Sequence, residues 1–150
     1  MHKKHIFVGA VSIILIVLLL VLVAYSIKEH DTQYPFANLT VEQVIGVTAY
    51  FGNLEFFSPY DLSRTEISEL VKELRKIVLY DEVDYTKYSS YQTLMFRIKM
   101  SNGECVCIAA CSPIFIINEI GFMSDVRQCN VVGDIYWDCV EKIKNSSAKG

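Results

Sequence analysis

Five cysteines (Cys105, Cys107, Cys111, Cys129 and Cys139) are the side chains of this 150-residue chain best equipped for chemistry. Thiols can bridge, hold a soft metal or act as nucleophiles. Their number is odd and no Cys-x-x-Cys occurs, which weighs against a complete disulfide framework. Cys105 and Cys107 fall on one face of a predicted strand, with Cα atoms roughly 6.6–6.8 Å apart, near the upper limit for a bridge. A disulfide through Cys129 or Cys139 stays open, as does the plainer role of small apolar residues packed under helices. A tetrahedral metal site would need three thiols of one face to converge without a histidine, so no metal ligand set is assigned.

Covalent catalysis asks for a base beside the nucleophile. The three histidines, His2, His5 and His30, all lie near the N-terminus, away from the cysteines. Neither a P-loop nor a GxGxxG is present. The expectation is a protein with no catalytic residue and no cofactor, and therefore not an enzyme. Recognition chemistry is better represented. Leu79–Gln92 interleaves Tyr80, Tyr85, Tyr88 and Tyr91 with Asp81, Glu82 and Asp84, and tyrosine gives rigid contact area with a polar tip. These residues, with Tyr50, Phe57 and Arg97 on an outer sheet face, are the candidate binding set. The competing reading is a solvated loop whose tyrosines pack back on the sheet edge.

Residues 6–27 hold no charge and are almost wholly apolar, and a 22-residue helix is about 33 Å long, enough for a bilayer core of about 30 Å. An uncleaved transmembrane helix is expected rather than a signal peptide, whose apolar region runs about 7–15 residues. Lys3 and Lys4 precede the helix, whereas Lys28 is offset by Glu29 and Asp31. The positive-inside bias thus puts residues 1–5 in the cytoplasm and the C-terminal domain on the extracytoplasmic side of the cell membrane, as a single-pass protein. Residues 28–40 read as a juxtamembrane spacer, 41–144 as one domain and 145–150 as a frayed tail. Beyond the helix, 17 acids meet 12 Lys and Arg, a balance that argues against nucleic acid, which is bound by basic surfaces.

The elements that must position the candidates follow from patterning. Residues 44–58 read as a hairpin turning at Gly52-Asn53, with Ile45, Val47, Ala49 and Phe51 on the core face. Ser63 and Glu66 form a capping box for a helix over 64–78, with Leu62 and Ile67 at the staple positions. Its stripe is Ile67, Leu70, Val71, Leu74 and Val78. A second hairpin over 92–111 turns at Asn102-Gly103 and pairs Ser101 with Glu104. That register puts Phe96, Ile98, Cys105, Cys107, Ala109 and Cys111 in the core and Val106, Ile108 and Ala110 outside. Strands are expected at 114–118 and 126–132, then a closing helix from Asp134 as N-cap to about Lys144. The order ββαββββα makes an α+β domain, an antiparallel sheet with helices on one face.

The helix LSRTEISELVKELRKI, the unit FRIKMSNGECVCI and the ending VVGDIYWDCVEKI resemble the small membrane-anchored or lipoprotein-like extracytoplasmic domains of unknown function from Gram-positive bacteria. The resemblance covers roughly residues 41–144 and implies a bacterial cell-surface setting, without assigning a catalytic residue or ligand. The expected function is a single-pass, membrane-anchored interaction module without catalysis, partnered by the lipid bilayer through 6–27 and by a protein. One version is an immunity protein that intercepts a secreted toxin. The alternative is an envelope-assembly or regulatory subunit acting through its transmembrane helix.

Overall fold

The computed structural model describes residues 32–51, 59–88 and 94–147. The expected transmembrane helix over 6–27, the turn at Gly52-Asn53 and the second arm of the first hairpin lie outside those residues. Among the described residues no helix is long and apolar enough to cross a membrane.

Seven strands make one antiparallel sheet: β1 (Val44–Phe51), β2 (Tyr60–Asp61), β3 (Leu79–Val83), β4 (Leu94–Met100), β5 (Cys105–Cys111), β6 (Ile114–Ile117) and β7 (Ile120–Ser124). Their order across the sheet is 2-1-4-5-6-7-3, which puts β3 at one edge and β2 at the other. Helices α1 (Arg64–Leu74) and α2 (Val126–Ser147) contribute to a single core with Val47, Ala49, Phe96, Ile98, Ile108, Ala110 and Phe115. Strand register puts those sheet residues on one face, so both helices cover the same side and the α+β class holds. The order, however, is ββαβββββα rather than ββαββββα, because Leu79–Val83 and Ile120–Ser124 are strands and residues 126–132 are helix.

Two local irregularities decide which side chains enter that core. In β1 the register shifts between Val44 and Gly46, and the bulge turns Ile45 out to 66% exposure while Val44 is buried. Ile45 is therefore not a core residue. The β4–β5 hairpin uses a three-residue loop, Ser101 to Gly103, in which Met100 N–H donates to Glu104 O at 2.9 Å. Gly103 takes φ +90°, a conformation that costs a residue without Cβ little. Pairing then runs Lys99 to Cys105, Arg97 to Cys107, Ile98 to Val106 and Phe96 to Ile108. The register is one residue off the two-residue expectation, and a one-residue slip sends every side chain of a strand to the other face. Ile108 and Ala110 are core, and Cys105 and Cys107 face outward with Arg97 and Lys99.

Three further expectations change. Residues 28–40 are not a free spacer where described, because Gln33 bridges Leu79 and Phe36 and Leu39 are buried, Phe36 edge-on to Phe115. Residues 126–132 are helix, not strand. Asp125 starts α2 by accepting the N–H groups of Arg127 and Gln128 at 2.9 and 3.1 Å, so Asp134 is an exposed mid-helix residue rather than the cap. Cys129, Val132, Tyr136, Cys139 and Val140 form its buried stripe. Finally, Leu79–Val83 is an edge strand instead of loop. It can reach β7 because Asn118 and Glu119, at φ 47° and 70°, turn β6 directly into β7.

The helix start at Ser63 is as expected and reaches further than its own turn. Ser63 N–H donates to Glu66 Oε2 at 2.7 Å, and Ser63 Oγ accepts the Glu66 N–H. Tyr60 of β2 and Lys142 of α2 both donate to Glu66 Oε1, at 3.0 and 2.6 Å. Burial pushes this carboxyl up, but the hydrogen bonds from Lys142, Ser63 and Tyr60 outweigh it and hold the pKa at about 2. A lowered carboxyl pKa stabilises the fold above the unfolded value near 4.5, and that stabilisation is lost as pH falls toward 2. Glu66→Gln is therefore expected to cost about 1–2 kcal/mol at pH 7 once solvent screening is allowed for. Thermal melts of wild type and variant should converge between pH 4.5 and 2; a difference that persists at the acid end would show that charge is not its source.

Candidate interaction surfaces

The acidic, tyrosine-rich segment is held as a rigid edge. Ser124 Oγ donates to Val78 O at 2.8 Å and Val78 N–H to Gln128 Oε1 at 3.0 Å, which ties the start of β3 to β7 and α2. Leu79 is buried, Tyr80 half-buried, and Asp81 and Glu82 exposed, with a bulge between Leu79 and Glu82 against β7. Asp84 opens a 3-10 turn over Tyr85–Tyr88 and accepts from Thr86 Oγ1 at 2.6 Å and Thr86 N at 3.2 Å. Those bonds, with Lys87 3.7 Å away, hold the Asp84 carboxyl below its ordinary value. Tyr85 packs on Gly121, where a Cβ would lie 2.9 Å from the Tyr85 Cβ and 2.9 Å from Val83 O. Asp81, Glu82 and Asp84 thus project from a fixed backbone, with Tyr80 and Tyr85 behind them. Tyr88 ends the turn, and Tyr91 lies outside the described residues.

Tyr50 and Arg97 form a separate surface. Arg97 Cζ lies 4.7 Å from the Tyr50 ring centroid and its Nη1 donates to Tyr50 Oη at 3.2 Å. The Cys107 sulfur and Tyr50 raise the guanidinium pKa further. Thr48, opposite Arg97 in the register, donates to Asp61 Oδ1 at 2.6 Å. Phe57 lies outside the described residues. Between this cluster and the β3 edge stand β5, β6 and β7, four interstrand steps or about 19 Å. The candidate residues therefore divide into two surfaces, one acidic and one cationic.

A third surface was not legible in the chain. Residues 37–42 and α1 enclose a groove of about 750 Å³, floored by Leu39, Val41 and Val71 and rimmed by Lys72, Arg75 and Lys76, with Glu42 opposite. Arg64 ties the start of α1 to this segment by donating to Val44 O at 2.7 Å and Val41 O at 2.9 Å. The one available signal was Phe36 and Leu39, apolar residues too many for a solvated spacer.

The remaining perturbed groups have structural partners. Burial raises Cys129 and Cys139 to about 11 and Tyr136 to about 12. Tyr136 donates to Tyr50 O at 2.7 Å and stands edge-on to Phe96. Among the described residues all five cysteines are free, and no three His, Cys, Asp or Glu side chains are grouped as a metal site. Compared with protein-family models, curated proteins and solved structures, the chain matches none.

Because the Cβ clash at Gly121 is with main chain as well as Tyr85, Gly121→Ala is expected to destabilise the protein by about 1–3 kcal/mol. Its first local effect should be faster amide exchange over residues 79–88. Unchanged exchange there would mean that Tyr85 does not hold the edge.

Proposed function

We propose that the protein is a non-catalytic interaction module, held at the cell membrane by residues 6–27, whose extracytoplasmic domain offers the β3 edge to a basic partner protein. The observation that carries this reading is the pair of exposed carboxylates Asp81 and Glu82 on an edge strand held by β7, with exposed Asp84 just beyond its end. Fixed charges need no reordering on contact, which favours steering and specificity. The groups with the largest pKa shifts have structural roles. Glu66 is a helix cap, Tyr136 a main-chain tie, and Cys129 and Cys139 core residues. An immunity protein against a secreted toxin fits this description, since such a toxin would be met at the membrane surface. The test is binding of the full chain to the secreted product of a neighbouring gene. Neutralising Asp81, Glu82 and Asp84 together should weaken that binding roughly tenfold at low salt. Equal binding by the neutralised chain would remove the edge from the reading.

One observation favours a second topology, with the domain on the reducing side. Five free thiols, of which Cys105 is exposed, are ordinary in a reducing compartment and uncommon in an oxidising one. A membrane-impermeant maleimide applied to intact cells decides between the two. Labelling of Cys105 without permeabilisation is expected for the extracytoplasmic domain, and labelling only after permeabilisation for the reverse.

A further inference from the structure

Cys105 and Cys107 stand apart from the other thiols. The β4–β5 register sets Cys105 opposite Lys99 and Cys107 opposite Arg97 on the face away from the helices. Lys99, Arg97 and Cys105 are exposed and Cys107 half-buried. β6 pairs with β5 only over Ile108 to Cys111, so among the described residues no strand flanks the two thiols on that side. The main chain there is nonetheless held, because Asn118 Oδ1 accepts the Cys107 N–H at 2.8 Å and Asn118 N–H donates to Cys107 O at 2.9 Å. Three acids stand around this face: exposed Glu119 follows Asn118, while Asp61 and Glu104 have partners of their own. Asp61 is bound to Thr48, and Glu104 accepts from Asn102 Nδ2 at 2.8 Å in the hairpin loop.

We propose that Cys105 and Cys107, each opposed by a cation on the open sheet face, form a modification site that takes small acidic disulfides as mixed-disulfide adducts. A cysteine thiol gives its proton to solvent, and the thiolate attacks one sulfur of the reagent. The new S–S bond forms as the reagent's own breaks, and the other half departs as a thiolate with the electron pair. The cysteine sulfur is oxidised and the departing half reduced, so no further oxidant is needed. Lys99 and Arg97 attract the carboxylates of the incoming disulfide and oppose cationic ones. The adducts persist because the two thiols are same-face neighbours on one strand, roughly 6.8 Å apart at Cα, a poor geometry for one to displace the adduct of the other. Each adduct also places carboxylates beside Arg97 and Lys99 and so cancels the positive patch.

The experiment uses the full chain in detergent with two probes: dianionic 5,5′-dithiobis(2-nitrobenzoate) and neutral 4,4′-dithiodipyridine. Peptide mapping should place the first two adducts on Cys105 and Cys107, with Cys129 and Cys139 reacting only after unfolding. Lys99→Gln with Arg97→Gln should lower the rate for the anionic probe roughly fivefold, and raised salt should do the same. The rate for the neutral probe should not change, which separates lost charge from altered exposure. First adducts on other cysteines, or an anionic-to-neutral rate ratio indifferent to both salt and substitution, would overturn the proposal.

Discussion

The loop from Ser101 to Gly103 fixes the register of the two central strands, and the identity of both sheet faces follows from it. With Met100 N–H on Glu104 O, the strands must pair Phe96 with Ile108 and Ile98 with Val106. A two-residue turn at Asn102-Gly103 would reverse β5, leaving Val106 and Ile108 in water and the thiols beneath the helices. Each large aliphatic side chain moved from core to solvent costs about 1.5–3 kcal/mol. The preference of Asn-Gly for one hairpin loop over another is smaller than that difference for two such residues. Packing therefore selects the loop, and Gly103 permits it by accepting φ +90°.

The same contest explains which parts of the fold were legible in the chain. The start of α1 was readable because Ser63, Glu66, Leu62 and Ile67 act within one turn, and their chemistry needs nothing distant. Both faces of β5 are apolar by composition, Cys-Cys-Ala-Cys against Val-Ile-Ala, so alternation alone could not rank them. The bulge at Ile45 is likewise invisible in a regular period-two pattern. The beginning of α2 was obscured by Val126, Val131, Val132 and Gly133, all poor helix formers. Tertiary burial of Cys129 and Val132 overrides that propensity. As for the sites, residue types that favour contact were readable, but their grouping was not. Three strands stand between Arg97 and the β3 edge that carries Tyr80 and Asp81, a distance that the strand pattern alone does not give.

Glu66 shows how a local signal acquires a global role. The carboxylate that caps α1 also receives Tyr60 from the β2 edge and Lys142 from the last turns of α2. One side chain thereby fixes both helices and an edge strand on the same side of the sheet. The opposite face is left to shorter cover, such as Tyr85 over Gly121, while Arg97 and Lys99 stay exposed. Asp81 and Glu82 are thus displayed at the β3 edge and Arg97 and Lys99 on β4, with Asp61 and Glu104 also on the β4 side.

Burial sets the cysteines apart from one another, from exposed Cys105 to buried Cys129 and Cys139. On α2, low-polarity packing pushes Cys129 and Cys139 up to about 11, and a thiol so raised is almost wholly protonated at neutral pH and shielded from reagents. On β5, Cys105 and Cys107 lie opposite Lys99 and Arg97, whereas Cys111 on the same strand face is half-buried and its thiol is pushed up by burial. Composition is identical and environment differs. The reactivity of Cys105 and Cys107 is thus set by the register of one hairpin, since moving β5 by a single residue would turn both toward the helices without altering any atom of their side chains.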